Sequence, residues 1–155
     1  MEKVFKTYIC ALILSLLFFT SCNSSNPQLT ESKTISVDSL NALWNAAWNN
    51  RDSTAVVNLM AKDALLISGR SQIKSLDSIS AKFVHHFIGT LTDLQTKTLV
   101  MKTWSEGCYL SGTYVFHAMQ SGKIIGKEEG VYTFIWEKQP DNTMKLKVLH
   151  MEEYK

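Results

Sequence analysis

Residues 108–138 read CYLSGTYVFHAMQSGKIIGKEEGVYTFIWEK, and this stretch decides the fold. Two segments rich in β-branched and aromatic residues, Cys108 to Met119 and Lys123 to Lys138, flank the dipeptide Ser121-Gly122. Such residues suit the pleated, half-buried surface of a strand. A two-residue separator ending in glycine predicts a tight hairpin turn. On this count Gln120 opposes Lys123, His117 opposes Gly126 and Val115 opposes Glu128, while Ser111 opposes Tyr132 and Tyr109 opposes Phe134. Side chains alternate between faces along a strand. Tyr109, Ser111, Thr113, Val115 and His117 are therefore expected to share a face with Glu128, Tyr132, Phe134 and Trp136. The large aromatics make it the concave, core-facing side. A bulge at Gly126 or Gly130 would turn part of this set over.

Working outward, Leu94 to Trp104 and Met144 to Met151 have the same strand composition. Their separators, Ser105-Glu106-Gly107 and Pro140-Asp141-Asn142, are turn-like. Three successive hairpins predict a four-stranded antiparallel meander. The first half is helical. Val37, Leu40, Leu43, Trp44, Ala47 and Trp48 recur at helical spacing, with Asn41, Asn45 and Asn49 on the opposite side. A second helix starts at Asp52-Ser53, both good capping types, and runs through Val56, Leu59 and Met60. Ala64 to Ser68 reads as a short strand that turns at Gly69-Arg70 and returns through Gln72-Ile73. A third helix follows Ser75, carries Leu76, Ile79, Phe83 and Phe87 as its stripe, and ends at Gly89. Helices first and long hairpins second predict an α+β domain.

The chain opens differently. Lys3 and Lys6 precede an apolar run from Tyr8 to Phe19, followed by Thr20, Ser21 and Cys22. That order reads as a secretory signal, with an apolar core shorter than the ~20 residues a spanning helix needs. Leu16-Leu17-Phe18-Phe19-Thr20-Ser21-Cys22 resembles a bacterial lipoprotein signal, although Phe19 stands where leucine is preferred. The resemblance implies lipidation of Cys22 after removal of residues 1–21. Residues 22–34 have the polar, Pro-containing composition of a tether. Asn23 is not the aspartate associated with inner-membrane retention, so the resemblance implies an outer-membrane anchor facing the periplasm.

Residues 35–155 fit one domain. The formal net charge of the chain is +2, and the signal takes away Lys3, Lys6 and Glu2, which leaves it near neutral. No basic stripe with interleaved aromatics is present, so nucleic acid is not an expected partner. Of the 3 cysteines, Cys10 leaves with the signal and Cys22 takes the lipid. Cys108 remains alone, as a small core hydrophobe.

The order of elements resembles the nuclear transport factor 2-like (SnoaL-like) superfamily. Leu43-Trp44 through Arg51-Asp52 is similar to its opening helix, and Met60-Ala61-Lys62-Asp63-Ala64 to the approach to its first strand. Gly130-Val131-Tyr132-Thr133-Phe134-Ile135-Trp136 is similar to its penultimate strand, and Leu146 to His150 to its last. Met144 and Ser75 depart from a frequent tryptophan and glycine. The resemblance implies three N-terminal helices packed in a curved antiparallel sheet, a cone-shaped, cystatin-like α+β roll. It implies that Leu146, Val148 and His150 face inward. The other face of the sheet is expected to carry Leu110, Tyr114, Val131, Thr133, Ile135, Leu149 and Met151, an apolar set that calls for cover. A second subunit is the simplest cover, and the resemblance implies such a homodimer; the alternative is a lone domain with ordinary surface leucines.

The expected pocket is built from Trp44, Trp48, Phe83, His86, Tyr109, Tyr132, Phe134 and His150. His86 lies close in helical angle to Ile79 and Phe83, whereas His85 points away. His150 and Tyr132 sit at one level on neighbouring strands and form the expected polar pair. A neutral imidazole there acts as acid, base or ligand, or is simply a hydrogen-bonded structural group. His117 and His150 are ~20 Å apart at ~3.3 Å per residue. With no His-x-His or His-x-x-x-His spacing in the chain, no metal site is expected, and no cofactor. An inward Glu128 would have its pKa raised by burial, but a glutamate in Lys127-Glu128-Glu129 is as readily solvated. The steroid isomerases of the superfamily use an aspartate on the first hairpin. Ala64 to Ser68 offers none, so that mechanism does not carry over. The first functional reading is a noncatalytic lipid-anchored module holding a small, largely apolar molecule. The alternatives are a cofactor-independent lyase or isomerase using His150 or Glu128 with a tyrosine, and a structural envelope dimer with a filled cone.

Overall fold

The structure, a computed structural model, describes residues 36–154; the signal 1–21, Cys22 and the tether 22–34 lie outside the described residues. Helix α1 (Val37–Asn49) buries Leu40, Trp44, Ala47 and Trp48. Its asparagines bond to the sheet, although only Asn41 is buried and Asn49 stays exposed. Asn41 donates to Thr98 and Tyr132, Asn45 donates to Thr96, and Asn49 both donates to the Leu94 carbonyl and accepts its N–H. One apolar row and one amide row thus fasten the helix to the sheet. Asp52 caps α2 (Ser53–Asn58) by accepting the Ala55 N–H at 2.8 Å, as its residue type predicts. Met60 does not continue that helix. It opens β1 (Met60–Ser68), because the Leu146 N–H bonds the Leu59 carbonyl and Met60 pairs with Leu146.

A short hairpin leads through Gly69, at φ +55°, to β2 (Ser71–Lys74). The third helix comprises α3 (Leu76–Ile79), a π-helical turn (Ser80–Val84) and α4 (His85–Phe87). The wider turn has a visible packing cause. Ile79 and Val84, five residues apart, are both 0% exposed, and a π turn brings positions at that spacing to one face. Everything after it is rotated by ~100° from its α-helical direction.

Strands β3 (Leu91–Trp104), β4 (Gly107–Gln120), β5 (Lys123–Lys138) and β6 (Met144–Glu153) form the expected antiparallel meander. The sheet order is β2-β1-β6-β5-β4-β3, and β1 joins β6 in parallel, the one parallel pairing among the described strands. The helices line one face, and the sheet curves around them through bulges. Ile125 is the extra residue between β4 and β5, and Lys147 between β5 and β6. Two more interrupt β3, at Asp93-Leu94 and at Leu99. Such insertions bend and twist a sheet. Gly112 sits beside the last of them. A Cβ there would lie 1.9 Å from the Lys97 carbonyl oxygen, so the chains approach too closely for any side chain.

The bulges revise the expected register. Gln120 does oppose Lys123, but past Ile125 every partner shifts by one. Tyr132 pairs with Gly112, Phe134 with Leu110 and Trp136 with Cys108. The inward face of β4 is therefore Cys108, Leu110, Gly112, Tyr114 and Phe116, and Tyr109 is turned out, paired with Ile135. Lys147 shifts β6 in the same way. Leu146, Leu149 and Met151 pack inward, while Val148 pairs with Ile135 and His150 with Thr133 on the convex face. The inward side chains of β5, Tyr132, Phe134 and Trp136, are as expected and fully buried.

Candidate functional site

The concave side divides into a filled end and an open end. The filled end is a chain of aromatic contacts running from sheet to helix. Tyr132 meets Phe134 at 4.5 Å between ring centroids, Phe134 meets Trp44 at 5.5 Å, and Trp44 meets Trp48 at 5.7 Å. Trp48 then meets Phe83 at 5.6 Å, and Phe83 meets Phe87 at 5.3 Å. Tilted and edge-on rings at these distances are favourable beyond the area they bury. The Tyr132 hydroxyl accepts from Asn41 at 2.7 Å and lies 3.0 Å from Thr98 Oγ1, so it is occupied by the fold. Nearby, Asn41 Oδ1 and the indole N–H groups of Trp44, Trp48 and Trp136 are buried without partners among the described residues. Cys108 is buried here too, where desolvation pushes its thiol pKa up, as befits an inert core residue.

The open end is a cavity of about 550 Å³ between the third helix and the wide part of the sheet. The helix side supplies Phe83, Phe87 and Lys82. The sheet supplies Tyr114 and Phe116 from β4, Glu128 from β5, and Met151 and Glu153 from β6. Leu91, Met119 and Ile73 complete an apolar wall. Tyr114 and Phe116 are nearly parallel rings, 6.0 Å apart. Tyr114 is only 4% exposed, and its hydroxyl has no hydrogen-bond partner among the described residues. The ring reaches across Gly130, where a Cβ would come within 2.7 Å of the hydroxyl oxygen. Burial, then repulsion from Glu153, Glu152 and Glu128, pushes the Tyr114 pKa up to about 12. The phenol is thus a neutral group facing an apolar space, with carboxylates close by.

Of the expected pocket residues, Phe83 lines this cavity. Trp44, Trp48, Tyr132 and Phe134 do converge with it, but as the solid floor rather than the wall. Tyr109 and His150 lie on the opposite face, turned over by the bulges at Ile125 and Lys147. His86 is exposed because the π turn carries it off the inward stripe and brings Phe87 to the cavity in its place; the two rings meet edge-on at 4.7 Å. His117 also faces outward and pairs with Asp93 at 3.3 Å. Glu128 faces the cavity, as its alternation on β5 indicates. The residue missed was Tyr114, and Gly130 was its signal: a glycine inside a strand often marks a close approach.

No protein-family model matches this chain, and no curated protein does either. Solved structures do match. A nuclear transport factor 2-like superfamily protein from Salmonella enterica superposes with a TM-score of 0.64 at 14% identity, covering 76% of this chain and 87% of that one. A ketosteroid isomerase-like protein from Erwinia carotovora gives a TM-score of 0.66 at 12% identity, over 81% and 98% of the two chains. A nuclear transport factor 2-like protein with a cystatin-like fold from Novosphingobium aromaticivorans gives 0.58 at 12% identity, over 74% and 77%. The class is therefore plain: an α+β cone with N-terminal helices laid in a curved sheet. The chain has the nuclear transport factor 2-like fold that its sequence resembles.

The Tyr114 assignment has a measurable consequence. Below pH 10, the ordinary tyrosine value, folded and unfolded chains both keep this proton. Between pH 10 and about 12 the unfolded chain loses it first, so stability falls as pH rises through that window. Ultraviolet titration should show one phenol ionising near the upper limit in the wild type and missing in Tyr114→Phe. That variant should also unfold in urea with little change in midpoint at neutral pH, since it removes a hydroxyl that has no hydrogen-bond partner among the described residues.

Proposed function

We propose that this protein is a lipid-anchored envelope protein whose nuclear transport factor 2-like domain holds a small, largely apolar molecule in the open end of its cone. The cavity carries this reading. Its volume, about 550 Å³, lies within the ~300–1,000 Å³ typical of ligand sites. Its apolar wall with scattered polar groups, among them Lys82, Tyr114, Glu128 and Glu153, has the composition of such sites. Native mass spectrometry of the purified full chain tests it. The expected result is a retained small molecule in the wild type and none in Ala118→Trp, which fills the cavity from β4, with unchanged far-ultraviolet circular dichroism. An empty wild type that also binds no apolar probe would instead favour the structural reading.

The anchor rests on Cys22 and the signal before it. Among the described residues no helix is long and apolar enough to cross a membrane. Several acyl chains on one cysteine suffice for stable attachment. Cys22→Ser should abolish lipid labelling and release the domain into the soluble fraction. Membrane retention of the unlabelled variant would sink the proposal.

The homodimer is supported by the convex face. Tyr109, Ile135, Val148 and Leu65 form a half-buried row across four strands, with Val131 and Val100 exposed nearby and the helices all on the other side. An apolar sheet face calls for cover. Ile135→Glu places an unpaired charge in that row. Sedimentation should find the wild type dimeric and the variant monomeric and folded. A monomeric wild type at high concentration contradicts the dimer.

The enzymatic alternative passes from His150 to Glu128 with Tyr114, since these two line one cavity and His150 does not. Turnover of the retained molecule, lost in Glu128→Gln, would put catalysis ahead of binding.

A further inference from the structure

The charges around the cavity narrow the chemistry of what enters it. Glu128 and Glu153 both line it, and among the described residues neither has an ion-pair partner. Glu129, next to Glu128 on the strand, is paired with Lys127 at 3.0 Å, whereas Glu128 is half-buried and Glu153 exposed at the cavity rim. Lys82 is the one cationic side chain on the lining, against two carboxylates. The alternation of the strands places the carboxylates where they act. Glu128 stands opposite Phe116, and Glu153 opposite Gly130, the glycine over which Tyr114 extends its hydroxyl. Tyr114 is the second, independent sign of a ligand: a residue more than nine-tenths buried that lines the cavity, its hydroxyl without a hydrogen-bond partner among the described residues.

We infer that the cavity selects a monocationic amine with an apolar body, its ammonium group held by Glu128, Glu153 and the Tyr114 oxygen, and its hydrocarbon laid against Phe83, Phe87 and Phe116. This rests on the ligand-binding reading above and assigns the class of ligand. An ammonium donates hydrogen bonds and accepts none. The carboxylates are acceptors, and a phenol oxygen offers lone pairs to a donor while its own proton is free to meet a carboxylate. Charge-assisted bonds of this kind are stronger than neutral ones. The aromatic wall adds attraction for a cation lying over a ring face. An anion would have Lys82 alone on its side, against Glu128, Glu153 and the nearby Glu152. A neutral apolar molecule would leave the Tyr114 hydroxyl and both carboxylates unused. Tyr114 keeps its proton until a pH of about 12, so it adds no negative charge of its own under ordinary conditions.

Three probes with one apolar body separate these cases: phenylbutylamine, phenylbutanol and phenylbutyrate. Binding is measured by calorimetry on the full chain in lipid nanodiscs, corrected for empty nanodiscs. The amine should bind about ten-fold more tightly than the alcohol, equivalent to ~1.4 kcal/mol, and the carboxylate most weakly. Glu128→Gln combined with Glu153→Gln should abolish the preference, so that amine and alcohol bind with equal affinity. In the wild type, equal affinity for amine and alcohol, or tighter binding of the carboxylate, overturns the inference. If the alcohol still binds in that case, and binding is lost in Ala118→Trp, the ligand-binding reading stands without it. If none of the three binds, both fall.

Discussion

One extra residue, Ile125, sets the direction of the side chains that β4 presents against β5. Without it the hairpin would place Tyr109 inward and Tyr114 outward. With it, Tyr114 and Phe116 face the helices, and the phenol comes to rest over Gly130. Lys147 does the same for β6, exchanging His150 for Leu149 and Met151. A period of two makes a sheet unforgiving, because a shift of one residue exchanges its faces completely. The same insertions bend the sheet, so the event that selects the lining also makes the concavity to be lined. The open cavity and its chemistry therefore share one cause.

The helical layer shows an analogous device. The π turn at Ser80–Val84 allows Ile79 and Val84 to be buried together and delivers Phe87 instead of His86 to the cavity. From there the aromatic contacts continue through Phe83, Trp48 and Trp44 to Phe134 and Tyr132. Floor and wall are thus one continuous packing unit. A molecule at Phe83 and Phe87 would rest on rings held in place by the core, as preorganised sites require.

What could be read from the chain beforehand follows from what is locally encoded. Ser121-Gly122, the Asp52 cap and the stripe through Leu40, Trp44 and Trp48 each act within a few residues, and each appears in the structure. The convergence of Trp44, Trp48, Tyr132 and Phe134 was legible too, since the first two lie on an uninterrupted helix and the last two alternate on β5 beyond its bulge; Phe83 sits within the π turn and still meets Trp48. Tyr109, His150 and His86 were misplaced for a single physical reason. Their direction depends on an inserted residue, on the partner strand for Tyr109, on its own strand for His150 and in the preceding helical turn for His86, and alternation or helical angle does not encode insertions. Their displacement emptied the expected site of its histidines. The two acidic residues that replaced them sat in plain view on β5 and β6, but only tertiary register tells them from solvated neighbours. The parallel joint between β1 and β6 was likewise hidden, because it links segments about eighty residues apart.

The amide row of α1 has a further consequence for motion. Asn41, Asn45 and Asn49 hold β3 at Thr98, Thr96 and Leu94, and the row stops at the bulge of Leu99. Beyond it Leu99, Val100 and Met101 are more than half exposed on a strand at the edge of the sheet. The two halves of one strand therefore belong to different cooperative units. The first opens only when helix and sheet part, so those of its amides bonded to β4 or to Asn49 are protected for longer. The second frays by itself from β4 and exchanges early, so the border between slow and fast amides falls at residue 99 rather than at either end of the strand.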